Sequence, residues 1–310
     1  MATPDIGVFL PSMSPPGQMP GDMRAAARHA EDLGLGSVWV VDQLIAGTGS
    51  PFLDSAIALA TAAAVTTRVR LGFGVLILPL HPVLWVAKQV AALQHVSGDR
   101  VILGVGAGGD RHEQSWLATG VPRRERGRRT DAAVRALPSL IAGQPTQLED
   151  SPDSPPVRLD PPATVPPILV GGMSEAAIIR TVDHADGWFL LPALPPQVAR
   201  AKQRLAEVAA QRSRPTPAVN ASIMIALEGD PSLPDEYELR HRLSDPDGMF
   251  GIPSDLIPTM VLRGGPVQVA QQLAAYAEAG AMRVVTSVAA GDWFRQTELL
   301  AEAVSIANRG

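Results

Sequence analysis

Residues Ala30–Asp42 read AEDLGLGSVWVVD. The segment holds the end of an amphipathic helix, a glycine stop, and a short apolar run that finishes on a carboxylate. Upstream, Asp22 stands at a helix-capping position. Met23, Ala26, Ala27, Ala30 and Leu33 then recur at helical spacing until Gly34. Ser37–Val41 reads as a strand. An earlier strand, Ile6–Leu10, leads into Pro11–Gly21, a loop rich in Pro, Gly and Ser. A helix that closes directly into an apolar strand is the unit of an α/β fold, so the fold depends on how often that unit returns.

It returns along the whole chain. Helical periodicity is found at Asp54–Thr66, Val83–Val96, Glu125–Ile141, Ser174–His184, Pro196–Arg212, Val267–Ala279 and Trp293–Ala307. Strand-like runs lie between them at Val69–Ile77, Val101–Val105, Ile168–Val170, Gly187–Leu191, Val219–Leu227 and Arg283–Ser287. Several of these runs are apolar without alternation, as expected when a parallel sheet is covered on both faces. Eight strands in strict alternation with helices predict a single α/β domain over the 310 residues, a (β/α)₈ TIM barrel. An open doubly wound sheet is the alternative. Two segments exceed a minimal barrel: the proline-dense 143–167, and 229–265 after the seventh strand. The second would project over the catalytic rim as a substrate lid, with Met249, Phe250 and Ile252 as walls of a substrate pocket, or else lie idle on the surface.

Composition narrows the function classes. A hydrophobic share of 46% supports a large core. With 26 basic against 31 acidic residues the formal charge is −5, which argues against a nucleic-acid partner. The one basic run, Arg123–Arg129, is broken by Glu125 and Gly127; it is a solvated helix start or an anion contact. The chain has no cysteine, which excludes disulfides, thiolate metal sites and cysteine nucleophiles and fits a cytoplasmic protein. The start shows no basic segment followed by an apolar stretch, so no secretory leader is expected. The apolar run around Leu71–Leu80 is shorter than the roughly 20 residues a membrane span needs, so no membrane partner is expected. His29, His81, His95, His112, His184 and His241 lack metal-ligand spacing, so no metal is expected. No G-x-S-x-G elbow is present.

Glycines mark the candidate sites. Gly104-Val-Gly106-Ala-Gly108-Gly109 matches a dinucleotide fingerprint literally, but the next strand comes too late for a βαβ unit of about 30 residues. It reads better as a loop, Gly106-Ala107-Gly108, whose backbone approaches a flat ligand. Gly171-Gly172-Met173-Ser174 joins a strand to a helix. It is either a phosphate site on the helix N-terminus or a plain turn capped by Ser174. Gly72-Phe73-Gly74-Val75 places glycines inside a strand, a sign of a bulge or of close ligand approach. Asp42 and Gln43 end the second strand, and Glu113 follows the fourth. Each is a catalytic candidate at the strand C-termini, or an ordinary loop or first-turn polar residue.

Taken together, AEDLGLGSVWVVD (Ala30–Asp42), RLGFGVLILP (Arg70–Pro79), AKQVAAL (Ala87–Leu93), SGDRVILGVG (Ser97–Gly106), RGRR (Arg126–Arg129), VGGMS (Val170–Ser174), ADGW (Ala185–Trp188), GPVQVA (Gly265–Ala270) and Ala279-Gly280 resemble the luciferase-like monooxygenase family over nearly the whole chain. The resemblance implies a barrel that binds reduced FMN or the deazaflavin coenzyme F420 at the strand C-termini. It also implies a non-prolyl cis peptide at Gly74–Val75 supporting the ring, and the cofactor phosphate at Gly171–Ser174. The leading expectation is hydride transfer between F420 and a small organic substrate. The alternatives are a monooxygenase using O₂ and reduced FMN from a separate flavin reductase, and a non-catalytic flavin-binding barrel. A homodimer is the expected assembly. One position departs from the family: many deazaflavin-dependent members carry Asp-His where this chain has Asp42-Gln43. Glutamine hydrogen-bonds but does not donate a proton near neutral pH, so protonation would fall to another group such as Glu113.

Overall fold

The computed structural model describes residues 3–46, 48–109, 113–149, 152–246 and 250–309. Strands and helices alternate in the order β1 (Asp5–Phe9), α1 (Met23–Asp32), β2 (Ser37–Val40), α2 (Ser55–Ala63), β3 (Arg70–Ile77), α3 (Val83–Ser97), β4 (Val101–Gly106), α4 (Glu113–Thr119), α5 (Arg126–Ile141), β5 (Ile168–Gly171), α6 (Glu175–His184), β6 (Gly187–Leu190), α7 (Pro195–Gln211), β7 (Ala218–Leu227), α8 (Glu236–Ser244), β8 (Val261–Gly264), α9 (Pro266–Ala279), β9 (Ala281–Val288) and α10 (Trp293–Ala307). The strands from β1 to β7 pair in parallel with their neighbours in turn. β7 pairs with β9, and β9 returns to β1, which closes an eight-stranded barrel.

The ninth strand is a correction to the sequence reading, which treated 229–265 as a loop. β6 pairs only with Ala218–Ala221 of the long strand β7. The C-terminal half of that edge, Met224–Leu227, takes β8 instead. β8 reads VLRG, an apolar pair broken by Arg263 inside a polar, proline-interrupted insertion, so it is defined by the free edge it satisfies rather than by its own pattern. The insertion also holds α8, capped by the Asp235 side chain on Glu238 N–H. It has a small core of its own, in which Met224, Ala226, Leu239, Leu243, Ile252, Ile257 and Val261 are buried. Within 143–167, Thr146 and Val157 form an antiparallel bridge. The basic run opens α5, where Glu125 pairs with Arg129 at 3.1 Å.

Two apolar layers follow from strand alternation. Val8, Val38, Val40, Leu71, Phe73, Leu103 and Val170 face outward into the layer between barrel and helices. Phe9, Trp39, Ile102, Leu169, Phe189 and Val285 fill the barrel itself. Trp39 stacks on Phe189 with centroids 5.1 Å apart. It fits because its neighbours on β1 and β3 lack side chains: a Cβ at Gly72 would lie 2.2 Å from its ring, and one at Gly7 2.7 Å. Below it, Arg283 donates to Asp5 at 2.7 Å and to Asn220 at 3.2 Å, which plugs the barrel base.

Candidate active site

The strand C-termini converge on a half-exposed Val75. The β3–β4 register shifts between Phe73 and Leu76. The peptide bond Gly74–Val75 is cis, as the resemblance implied. Val75 points toward the barrel axis and is packed with the interior cluster. Its surroundings on the next two strands are backbone. A Cβ at Gly106 would stand 2.9 Å from a Val75 methyl, and one at Gly171 3.1 Å. At this level β3, β4 and β5 therefore present one isopropyl group and otherwise bare main chain, a surface against which a flat ring can lie. The observation fits a flavin or deazaflavin ring system.

At the edge of this surface, Gly171 ends β5 and Gly172 turns the chain with φ +123°. Ser174 caps α6, its side chain accepting from Ala177 N–H at 3.2 Å. Gly172, Met173 and Ser174 are exposed, so the first-turn N–H groups of α6 face solvent beside the mouth. Glu175, the acid in that turn, is paired with Arg204 at 2.6 Å. Capping by Ser174 and anion binding by the turn are thus compatible readings.

The other sequence candidates divide. Phe73 is buried in the outer layer and does not reach the mouth: two residues before Val75 it would share its face by alternation, but the register shift between Phe73 and Leu76 turns Val75 to the axis and leaves Phe73 outside. Ala107 and Gly108 continue from β4. Gly108 has φ +70°, and a Cβ there would meet Ile77 and Trp116 at 2.8 Å. Gln43 is tied to its own loop, donating to the Ile45 carbonyl at 2.5 Å. That loop docks on α4, where the Ser115 hydroxyl accepts from Ile45 N–H at 3.1 Å. Glu113 opens the same helix and is exposed. Ile252 is buried in the core of the insertion and is not among the described lining of the cavity below. Phe250 does line a cavity, described below, and Met249 lies outside the described residues.

Asp42 is neither a free base nor a bystander. One of its oxygens accepts from Ile77 N–H at 2.8 Å and from the His81 ring at 2.8 Å. The carboxylate thereby ties the end of β2 to the end of β3, just beyond Val75. The sequence reading missed His81. Its available signal was a histidine directly after a barrel strand end, in Leu78-Pro-Leu-His81. Burial opposes charge on this imidazole, but the hydrogen bond and attraction to Asp42, helped by Asp54, outweigh it and raise its pKa above the ordinary value. A raised folded-state pKa stabilises the fold fully below the unfolded value, and that contribution is lost as pH rises through the folded value. The melting temperature should therefore fall through this window in the parent protein. In His81→Gln the fall should be absent; an identical fall would remove His81 as its source.

A cavity of about 810 Å³ opens beside the mouth, between the loop after β1, the end of α8 and the loop after β9. Phe9 joins the two regions, since it lines the cavity and a Cβ at Gly74 would lie 2.7 Å from its ring. The far wall is held by Asp230, which accepts from Asp292 N–H at 2.8 Å and from Gln296 at 3.1 Å. Burial works against that carboxylate's charge, yet the hydrogen bonds from Ser232, Gln296 and Asp292 hold its pKa below the usual range. Among the described residues, no helix is long and apolar enough to cross a membrane.

Comparison with known proteins agrees with this architecture. The chain is 39% identical over 142 residues to an uncharacterised protein of Mycobacterium tuberculosis, a stretch covering 45% of this chain and 48% of that one. It is 34% identical over 143 residues to 4-hydroxyprotoasukamycin monooxygenase of Streptomyces nodosus subsp. asukaensis, covering 44% and 38%. These matches thus span half or less of the curated relatives. An F420-dependent secondary alcohol dehydrogenase, solved with an F420–acetone adduct, superposes over 99% of both chains with a TM-score of 0.78 at 18% identity. The profile of the luciferase-like monooxygenases matches residues 5–283, and with its closed barrel and bare-backbone mouth the chain belongs to that family.

Proposed function

We propose that this protein is an F420-dependent oxidoreductase that transfers a hydride between the deazaflavin and a small organic substrate. The observation that carries the reading is the mouth around Val75, cleared of side chains at Gly106 and Gly171. Val75 would support one face of the ring, and the backbone of Gly106, Ala107 and Gly108 would border it. Gly171, Gly172, Met173 and Ser174 would receive the phosphate, with exposed N–H groups and the positive end of α6. When bound, F420 supplies a two-electron carrier that gives or takes hydride. Asp42 and His81 hold the end of β3 in place beneath it, Gln43 orients substrate, and Glu113 is the candidate proton donor. The choice of deazaflavin is supported by two F420-dependent enzymes of this fold, the alcohol dehydrogenase above and a tetrahydromethanopterin reductase from Methanopyrus kandleri with a TM-score of 0.73.

A second reading, a monooxygenase using O₂ and reduced FMN delivered by a separate reductase, is favoured by different relatives. Besides the 4-hydroxyprotoasukamycin monooxygenase, limonene 1,2-monooxygenase of Rhodococcus erythropolis is 30% identical over 119 residues. Fluorescence titration with each cofactor separates the two. F420 is expected to bind roughly tenfold or more tighter than FMN, a difference of about 1.4 kcal/mol. The reverse order selects the monooxygenase, and binding of neither defeats both.

A further inference from the structure

The cavity beside the mouth differs chemically from the cofactor surface. Phe9, Met13, Phe250, Val288 and Trp293 give it apolar walls. The polar tip of Trp293 is used up, donating to the Phe9 carbonyl at 3.0 Å, so the indole offers its hydrocarbon faces. Two charged residues lie on the described lining, Arg242 and Asp245, and they are opposite in sign. The Arg242 guanidinium is bound to Glu238 one helical turn earlier, at 2.6 Å. Among the described lining residues there is no cluster of like charge, in contrast to a site that holds a carboxylate or a phosphate. The neutral hydrogen-bonding groups are Ser14, Gln18 and Ser287. Ser287 stands two residues beyond the inward-facing Val285 on β9, at the side of the cavity nearest the barrel axis.

We infer that this cavity takes a neutral, compact, largely apolar molecule bearing a single carbonyl or hydroxyl. Its hydrocarbon body packs on Phe9, Met13, Phe250 and Trp293, and its oxygen meets the Ser287 hydroxyl. The inference rests on the functional reading above and adds the substrate class to it. A volume of about 810 Å³ leaves room for a ring system, and Phe9 brings that ring alongside Gly74 and Val75. Bringing an ionised carboxylate into the same space would strip its water, and the cation on the described lining, Arg242, is already committed to Glu238.

The test uses three probes with one skeleton: tert-butylcyclohexanone, tert-butylcyclohexanol and the tert-butylcyclohexane carboxylate anion. Their affinities for the full chain are measured by calorimetry, with F420 and FMN titrated in parallel. Both neutral probes should bind saturably, and the carboxylate roughly tenfold or more weaker. Ala289→Trp, which fills the cavity, and Phe250→Asp, which charges its wall, should each weaken the neutral probes by a similar factor. Ala289→Trp should leave cofactor affinity unchanged, with circular dichroism confirming the fold. A carboxylate that binds as tightly as the neutral probes overturns the inference. So does the absence of saturable neutral binding, or neutral binding indifferent to both substitutions. Failure of cofactor binding with these probe results intact would sink the functional reading and leave the cavity assignment standing.

Discussion

Replacing Gly171 by valine is expected to lower cofactor affinity roughly 100-fold or more, about 2.7 kcal/mol. A Cβ at this position would already lie 3.1 and 3.2 Å from the two Val75 methyls. The branched carbons beyond it would occupy the strip of bare backbone where the ring is expected to rest. The effect should fall on binding more than on folding. Gly171 ends a strand and its φ lies outside the left-handed region, so valine can adopt its backbone conformation. Gly172 is a poorer test, because φ +123° strains any other residue there. Ser174→Ala, in the same turn, should cost about 1 kcal/mol of stability through the lost helix cap. Cofactor binding unchanged in folded Gly171→Val would remove the cradle from the account.

Arg100→Met should be among the most destabilising single changes in the chain, costing roughly 3 kcal/mol or more. Arg100 is buried at the opposite end of the barrel, with 8% of its surface exposed. Its guanidinium donates to the carbonyls of Ala63, Thr66, Val69 and Ser97 and to the Thr66 hydroxyl, at 2.6 to 3.2 Å. It thus gathers the end of α2, the start of β3 and the end of α3 around one side chain. Methionine fills the volume of the stem and leaves those acceptors dry and unpaired, which is costlier than losing an exposed ion pair. Arg158→Met is the control: its 3.7 Å pair with Asp160 is solvent-exposed, so the change should stay within about 0.5 kcal/mol. Denaturant unfolding of the two variants checks both values, and equal midpoints would refute the role of Arg100.

The same residues show what was legible in the sequence. SGDR, part of the family resemblance, has a structural job: Gly98 ends α3 in the left-handed conformation and Arg100 makes the crosslink. The barrel was legible because each helix–strand unit repeats its own start and stop signals. β8 was not, because its partner edge exists only once β6 and β7 have paired. The strand glycines serve different purposes. Gly72 and Gly74 make room for Trp39 and Phe9, whereas Gly106 and Gly171 clear the space around Val75. Spacing cannot distinguish these uses, since each depends on a side chain from another strand. The Asp42–His81 contact spans 39 positions and was invisible for the same reason. Phe73 shares the parity of Val75, so a regular strand would bring both to one face; the irregularity of β3 between Phe73 and Leu76, which spacing does not show, sends Phe73 to the outer layer.

The central claim is that a deazaflavin lies against Val75 with its phosphate at the start of α6. A crystal structure of the protein with F420 bound tests it most directly. The account predicts the tricyclic ring packed on the Val75 side chain beside Gly106, with phosphate oxygens accepting from the backbone N–H groups that follow Gly172. A ring bound elsewhere, or a phosphate held away from the Gly171–Ser174 turn, would contradict it.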